Sequence, residues 1–373
     1  MKSNYEPRPA WPRYGVAVGR VIGGWLAMVV SIRSNNPGRI TMTANRTNLC
    51  VALSMVVILP AAGCRPVAER QAESDPLKVT LAIHAAPYSG LIAVADEKGF
   101  FKQVGLDVAI KPYPSGSDSL KAMMRGDAHI ATVADIAFAI TMDEDPSLRV
   151  IAAIGASSGS ELVARKDRNI REPADLKGKR VGYSPGTTSS YFLHSFLLTH
   201  HLSWNDISTV AVPAARQAET VITGEVDAVS AFEVYAFAAR KALGENAVAW
   251  DIQNTLAYQW LLATRESATL SPEAARRFLK ALILAEEFAV NHQEETKAII
   301  ARKWNLDPDL IDFTWSRTRL SVSFSQSIIS ALKSYGKWDM ETKGKTGEPP
   351  DVLLYMDTGP LDALDPKLVT VFR

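Results

Sequence analysis

Residues 175–197 read DLKGKRVGYSPGTTSSYFLHSFL, and they carry the sharpest structural signal in the chain. An apolar strand ends at a Pro185-Gly186 turn, and four hydroxyl residues (187–190) then precede an apolar-periodic helix. One hydroxyl is enough to cap a helix start. The first turn of a helix also offers free backbone N–H groups and a partial positive charge, to which extra hydroxyls can add hydrogen-bond donors for an anion. We therefore predict that Thr187 caps the helix and that Thr187, Thr188 and Ser189 contact a ligand.

The rest of the chain from residue 77 alternates strand-like and helix-like runs. This βαβα order predicts parallel sheets with helices on their faces, and therefore an α/β fold. The series restarts near residue 180, and a further strand near residue 258 precedes mainly helical sequence, of which residues 272–292 are the most amphipathic. We predict two α/β lobes with a ligand cleft between them. The predicted boundaries are 77–165 for the first part of lobe 1, 166–257 for an inserted lobe 2, and 258–373 for the remainder of lobe 1.

The first 63 residues have the composition of a targeting segment. Residues 49–59 form an eleven-residue apolar run after Arg46, and PAAGC follows, ending at Cys64. This order is typical of a secretory signal, and the run is shorter than the roughly 20 residues that a membrane span needs. The ending is similar to a bacterial lipobox, so we predict lipidation at Cys64, with 64–76 as a tether. Plain cleavage after Gly63, which would release a secreted soluble form, and an uncleaved anchor stay open as alternatives. Met42 would make a better signal start than Met1, and our hypothesis is that residues 1–41 are an upstream extension of the reading frame.

Composition excludes several classes of function. Residues 1–63 hold seven Lys/Arg and one acid of the chain's 41 and 40, which leaves 34 basic and 39 acidic residues and no basic footprint for nucleic acid. Both cysteines lie in the first 64 residues, so the body has no disulfide, thiol nucleophile or cysteine metal site. GASSG (155–159) satisfies G-x-S-x-G, but an extended segment follows where a nucleophile elbow needs a helix. We expect no enzyme activity, no cofactor and no metal.

Three stretches of the chain resemble a known family. GLIAVADEKGFFKQVGLDVAIKPYPSGSDSLKAMMRGDAHIAT, PADLKGKRVGYSPGTTSS and GEVDAVSAFEVYAFAARKALG look like successive signatures of solute-binding proteins of ABC importers. The branch is the nitrate/taurine/sulfonate group, which is related to thiamine-pyrimidine-precursor binders. The resemblance implies a type II periplasmic-binding-protein fold, a periplasmic or cell-surface location, and delivery of a small solute to a permease in the inner membrane. It also implies a monomer. The group's WEPY-like motif reads FEVY here, from Phe232 to Tyr235.

Further candidate ligand contacts follow strand ends in both lobes. YPSGSDS repeats the strand–loop–helix design and offers Ser115, Gly116 and Ser117. HAAPYSG offers His84, Tyr88 and Ser89, although His84 and Tyr88 could equally belong to the core. We interpret Ser157 as a cleft-lining hydroxyl. Two acids at strand ends, Asp135 and Glu233, are candidates for a ligand ammonium, and Asp135 is as good a helix cap.

An anion held by amides and hydroxyls, together with an amine held by acids, indicates a small zwitterionic or anionic solute similar to taurine. An amino-pyrimidine stacked on the rings of Tyr88, Phe232, Tyr235 and Trp260 is the alternative, and a nitrate binder is another. A pyrimidine-synthase-like enzyme is disfavoured by the export signal, and a sensor that signals to a membrane kinase stays open.

Overall fold

The computed structural model describes residues 75–253, 257–266 and 270–371. The predicted signal region 1–63, its extension 1–41, and Cys64 with the tether up to residue 74 lie outside the described residues. Twelve strands are described: β1 Leu77–His84, β2 Leu106–Tyr113, β3 Ile130–Ala134, β4 Leu148–Ser157, β5 Glu161–Arg165, β6 Arg180–Tyr183, β7 Ser208–Ala211, β8 Ala228–Ala231, β9 Ala247–Asp251, β10 Tyr258–Arg265, β11 Thr318–Ser325 and β12 Val369–Thr370.

The α-helices alternate with these strands up to β10 and dominate the chain after it. Within the described ranges they are α1 Gly90–Glu97, α2 Phe100–Gln103, α3 Gly116–Met124, α4 Asp135–Thr141, α5 Thr188–Thr199, α6 Gln217–Thr223, α7 Glu233–Leu243, α8 Pro272–Asn291, α9 Gln293–Trp304, α10 Pro308–Trp315, α11 Gln326–Thr342 and α12 Gly359–Asp362.

Lobe 1 is built on a seven-stranded sheet in the order β12-β11-β4-β10-β3-β1-β2. β1 pairs in parallel with β2 and β3, whereas β10 runs antiparallel to both of its neighbours, β3 and β4. The prediction of a parallel sheet is therefore wrong for this part of lobe 1. The reason is geometric: the chain returns from the second lobe at the carboxyl ends of β3 and β4, so the strand that it then forms runs back along them in the opposite direction.

Lobe 2 is built on a five-stranded sheet in the order β7-β6-β8-β5-β9. β5 pairs antiparallel with β8 and β9, so residues 161–165 belong to lobe 2. The chain therefore leaves lobe 1 between Ser157 and Glu161, and not after residue 165 as predicted. It returns between Asp251 and Tyr258. All strands of lobe 2 thus lie between β4 and β10 in sequence, which is the arrangement of an inserted lobe.

Helix α8 shows how sequence signals fix an element of lobe 1. Ser271 accepts a hydrogen bond from the amide of Ala274, and Pro272 occupies the first helical position, where its missing N–H has no cost. Its apolar stripe, which includes Phe278 and Leu282, is fully buried. The predicted range of 272–292 differs from the observed helix by one residue at its end.

Four helices begin directly after the carboxyl ends of parallel strands. α3 follows β2 and α4 follows β3 in lobe 1, while α5 follows β6 and α7 follows β8 in lobe 2. In open α/β sheets this edge is where ligands bind, because loops and helix starts leave a crevice there. Within the described ranges, no helix is both long enough and apolar enough to cross a bilayer.

Candidate functional site

The last residue of β1 supplies an imidazole to the site. His84 Nδ1 lies 2.7 Å from the hydroxyl of Tyr88, which is four residues later on a short turn. Both side chains are buried, and burial lowers the pKa of His84 to about 4. The imidazole is therefore neutral at physiological pH and offers hydrogen bonds without a formal charge.

The start of α3 supplies backbone and hydroxyl donors from lobe 1. Ser115 caps the helix, because its Oγ accepts from the amide of Asp118 at 3.1 Å. At Gly116 a Cβ atom would lie 2.7 Å from Cη2 of Trp260, so only glycine allows this indole to pack against the helix start. Ser117 Oγ donates to the carbonyl of Gly186 at 3.1 Å. This bond joins the first turn of α3 to the loop before α5 and therefore crosses from lobe 1 to lobe 2.

Of the four hydroxyls at the start of α5, three make hydrogen bonds to the protein backbone and the fourth, that of Thr188, makes none among the described residues. Thr187 caps the helix as predicted, accepting from the amide of Ser189. Ser189 Oγ accepts from the amide of Ser184 at 3.0 Å and donates to the carbonyl of Ser230 at 2.8 Å, so it ties α5 to β8. Ser190 Oγ donates to the carbonyl of Thr187. Thr188 Oγ1 makes no hydrogen bond within the described part of the chain, which leaves it available to a ligand.

These helix starts enclose a cavity between the two lobes. In this arrangement the cavity has a volume of about 20 Å³, which is room for about one water molecule. A second bond between the lobes runs from the Tyr235 hydroxyl to the carbonyl of Pro114, the residue before the cavity-lining Ser115, at 3.0 Å. The lobes are thus in contact at the mouth of the cleft. The cavity is lined by His84, Tyr88, Ser115, Gly116, Ser117, Ala134, Ala137, Thr187, Thr188, Phe232, Tyr258 and Trp260.

The lining contains no Lys, Arg, Asp or Glu side chain among the described residues. Arg216, the residue before α6 in lobe 2, is exposed and pairs with Glu219 and Glu225. Positive potential in the cavity must therefore come from helix first turns that border it, such as those of α3 and α5, whose amides have no acceptors inside their own helices.

Asp135 and Ser89 belong to the support of the site and do not line the cavity. Asp135 Oδ1 accepts from its neighbour Ile136, and Oδ2 accepts from the amide of Gln259 at 2.9 Å, so the carboxyl joins α4 to β10. Burial raises the pKa of Asp135 to about 7. Ser89 Oγ donates to the carbonyl of His84 and accepts from Nε1 of Trp260, which fixes the indole ring.

Ser157 and Glu233 form a buried cluster behind the cavity wall. Glu233 Oε1 accepts hydrogen bonds from Ser157 Oγ and from the hydroxyl of Tyr258, and only Tyr258 of these three lines the cavity. Burial raises the pKa of Glu233, and its Oε2 has no hydrogen-bond partner among the described residues. The segment after Ser157 leads into strand β5, not a helix. In this structure the two side chains therefore hold the hydroxyl of Tyr258, and their contact with a solute stays a prediction.

Sequence reasoning missed three lining residues. Tyr258 is the first residue of β10, and Ala134 and Ala137 flank the start of α4. The two alanines carry no chemical signal. Tyr258 could have been found from its position, because it follows the crossing from lobe 2 and so enters the sheet at the cleft edge. Phe232 and Trp260, expected as stacking partners for an amino-pyrimidine, do line the cavity, whereas Tyr235 does not.

No group of three or more His, Cys, Asp or Glu side chains in the described ranges could hold a metal ion. Nothing in the structure tests the predicted lipidation, because Cys64 is outside those ranges.

Comparison with known proteins agrees with this architecture. The chain is 26% identical over 294 residues to a putative binding protein, YtlA, of Bacillus subtilis, covering 75% of this chain and 86% of that one. It is 28% identical over 254 residues to a putative thiamine biosynthesis protein of Haemophilus influenzae, covering 65% and 79%. Among solved structures, the alkanesulfonate-binding protein SsuA of Xanthomonas axonopodis, bound to MOPS, superposes with a TM-score of 0.64 at 17% identity, covering 76% of this chain and 99% of that one.

The likeness to SsuA confirms the two-lobed periplasmic-binding-protein fold predicted from the sequence. The family described as NMT1/THI5 like matches residues 86–296, more than half of the chain and nearly the whole stretch from the first cavity-lining loop to α9. The chain therefore belongs to the NMT1/THI5-like family.

Proposed function

We propose that the protein is a solute-binding receptor that encloses one small molecule between its lobes and catalyses no reaction on it. The observation that carries the proposal is the meeting of two helix starts, from different sheets, over one buried cavity. The bond from Ser117 to the carbonyl of Gly186 joins them at 3.1 Å. A solute that bridges α3 and α5 would stabilise the closed form by its preference for that form, which is the coupling that a receptor needs. The relative named a binding protein supports the same reading.

We propose a net-neutral zwitterion of the taurine or sulfonate type as the solute. A lining without formal charge favours a ligand without net charge, because an isolated ion in a closed cavity is poorly compensated. The anionic end would accept from the α3 and α5 amides and from Thr188 Oγ1. The ammonium end would lie against the faces of Trp260 and Phe232, where cation–π attraction contributes about 0.5–2 kcal/mol. The fold's likeness to an alkanesulfonate-binding protein supports this choice.

An amino-pyrimidine is the second candidate, and it rests on the aromatic part of the lining. Tyr88 and Trp260 have ring centroids 4.4 Å apart, and Tyr88 and His84 are 5.8 Å apart, so one wall of the cavity is almost continuously aromatic. A flat heterocycle could stack there, while its ring nitrogens pair with hydroxyls. The relative named for thiamine biosynthesis supports this candidate. Nitrate, which has neither an ammonium group nor a stacking ring of this kind, uses less of the lining.

We propose that this receptor acts outside the cytoplasm and delivers its solute to an ABC permease in the inner membrane. The signal-like run before Cys64 supports export, and PAAGC supports a lipid anchor at that residue. A monomer is the expected state. Mass measurement of the native protein tests this placement, since a diacylglycerol on Cys64 adds a defined mass and plain cleavage after Gly63 does not.

The test of solute binding is a thermal-unfolding screen followed by calorimetric titration. The panel pairs taurine with ethanesulfonate, which lacks the amine, and adds nitrate and a 4-amino-pyrimidine. A zwitterion receptor is stabilised by taurine more than by ethanesulfonate, and Thr188→Val weakens that binding. Stabilisation by the pyrimidine alone would select the second candidate. Unchanged melting with every compound, together with an unchanged titration baseline, would overturn the proposed solute classes.

A further inference from the structure

Helix α7 reaches from the cavity to a second contact between the lobes. Phe232, the residue before α7, lines the cavity. Five residues further along, the ring of Phe237 lies 5.8 Å from that of Phe313 on α10. Helix α7 belongs to lobe 2 and α10 to lobe 1. Helix α7 therefore begins beside the cavity and also contacts the other lobe through Phe237 and Phe313.

Charged residues surround this aromatic pair and join the same two lobes. Lys241 Nζ at the end of α7 pairs with Asp307, the cap of α10, and lies 3.6 Å from Asp309. Arg317 of lobe 1 lies 3.4 Å from Glu161, the first residue of β5 in lobe 2. Together with Arg240, which also pairs with Glu161, these contacts bring three basic and three acidic side chains together where α7 meets α10. We call this set the latch; its members are Glu161, Phe237, Arg240, Lys241, Asp307, Asp309, Phe313 and Arg317.

Two cations share the most buried member of the latch. The Glu161 side chain is 4% exposed and accepts from both Arg240, at 2.9 Å, and Arg317. Both guanidinium groups also lie over the ring of Phe313, at 5.0 and 5.2 Å from its centroid. A carboxylate so far removed from water needs its partners. Arg240 belongs to the same lobe as Glu161, and so lobe 2 retains one partner for this carboxylate when Arg317 moves away.

We propose that the latch holds the closed arrangement independently of any solute, and that α7 transmits its state to the cavity. Opening the cleft would separate α7 from α10 and lose the Lys241 and Arg317 contacts, while Arg240 would keep Glu161 paired. The latch therefore shifts the closed-to-open ratio of the empty protein and, through it, the apparent affinity for whatever the cavity holds. Exposed ion pairs change such a ratio by about two- to fivefold each.

The experiment measures the lobe-to-lobe distance by pulsed electron paramagnetic resonance, without solute. The full chain carries Cys50→Ser and Cys64→Ser, which removes every native thiol. Labels go on Lys121→Cys in α3 and Ala215→Cys after β7, both exposed and on different lobes. The test variant is Lys241→Met with Arg317→Met, which leaves the Arg240–Glu161 pair in place.

A matched control uses a salt bridge on the same helix α10 that does not join the lobes. Lys297 of α9 lies 3.1 Å from Asp312 of α10, and both belong to lobe 1. We expect the latch variant to populate a longer distance about tenfold more than the parent protein, whereas Lys297→Met leaves the distribution unchanged. Raising the salt concentration should shift the parent toward the variant, because exposed pairs are screened.

Equal distance distributions in the parent and the latch variant would overturn the proposal, as would an equal change in the Lys297 control. Because no solute enters the measurement, either result leaves the receptor proposal standing, and a failed solute screen leaves the latch untouched.

Discussion

Substitution of the neighbouring residues Thr188 and Ser189 should separate an effect on solute binding from an effect on stability. They are adjacent in sequence, both are buried, and both lie in the first turn of α5. Ser189→Ala removes a group that accepts from the amide of Ser184 and donates to the carbonyl of Ser230. Two buried backbone groups are left without that partner, at about 1–3 kcal/mol each, so we expect a loss of about 2–6 kcal/mol in the free energy of unfolding.

Thr188→Val should have the opposite profile. Its hydroxyl has no hydrogen bond within the described residues, and Val keeps the shape and β-branching of Thr. The free energy of unfolding should therefore change by less than about 0.5 kcal/mol. A solute that accepts from Thr188 Oγ1 loses one hydrogen bond, about 0.5–1.5 kcal/mol, which is roughly a two- to twelvefold loss of affinity.

Urea unfolding of the parent and both variants measures stability, and calorimetric titration with the most stabilising compound of the panel measures affinity. Thr188→Val losing as much stability as Ser189→Ala would show that its hydroxyl serves the fold. An unchanged affinity in Thr188→Val would show that the solute does not reach the start of α5. Either result refutes the reasoning that separates the two positions.

Three further outcomes follow from single contacts. Gly116→Ala places a Cβ 2.7 Å from Cη2 of Trp260 and should destabilise the protein by about 1–3 kcal/mol in urea unfolding; stability equal to the parent would contradict the tight packing. Burial raises the pKa of Asp135 from 3.8 to about 7, so the folded state holds this proton more tightly, and stability should fall by about 3 kcal/mol as pH rises from about 4 to about 7. Unfolding series at several pH values should show that Asp135→Asn removes this slope, and an unaltered slope would assign it to other groups. Tyr235→Phe keeps the ring but loses the cross-lobe bond to the Pro114 carbonyl; solute affinity should fall about two- to tenfold by titration, and unchanged affinity would mean that the bond does not favour closure.

Local signals predicted most of the elements because those signals act within a few residues. The start of α8 is set by Ser271 and Pro272, and the start of α5 by Thr187, all of which are adjacent to the helix that they begin. The alternation of strand and helix also predicted two lobes with one inserted in the other. These features depend on periodicity and capping, which a single sequence displays directly.

The direction of a strand in its sheet, and the lobe to which the strand belongs, could not be predicted from the sequence in the same way. β10 has the apolar character of any buried strand, and nothing in its residues states that it runs antiparallel between β3 and β4. Residues 161–165 likewise pair with β8 and β9, which are far away in sequence. Such pairings are decided by the path of the chain between lobes, so the predicted boundary after residue 165 fell on the wrong side of β5.

The same limit applies to the site. The sequence placed hydroxyls at the starts of α3 and α5 correctly, but Ser189 is committed to a carbonyl 41 residues later. Glu233 was predicted to reach an ammonium, yet it accepts from Tyr258, which itself lines the cavity. Which polar side chains remain free for a ligand depends on tertiary partners, and these are visible only in the assembled fold.

The position of β10 also bears on the order in which the polypeptide acquires its structure. β3 and β4 do not pair with each other; each presents an edge to β10, and β10 is made only after all of lobe 2. During synthesis or refolding, the inserted lobe can assemble from contiguous sequence, while the larger sheet waits with two unsatisfied edges at its centre. Unpaired edges of this kind are templates for association between chains. The late arrival of one central strand therefore makes the amino-terminal half of lobe 1 the region most in need of protection before the chain is complete.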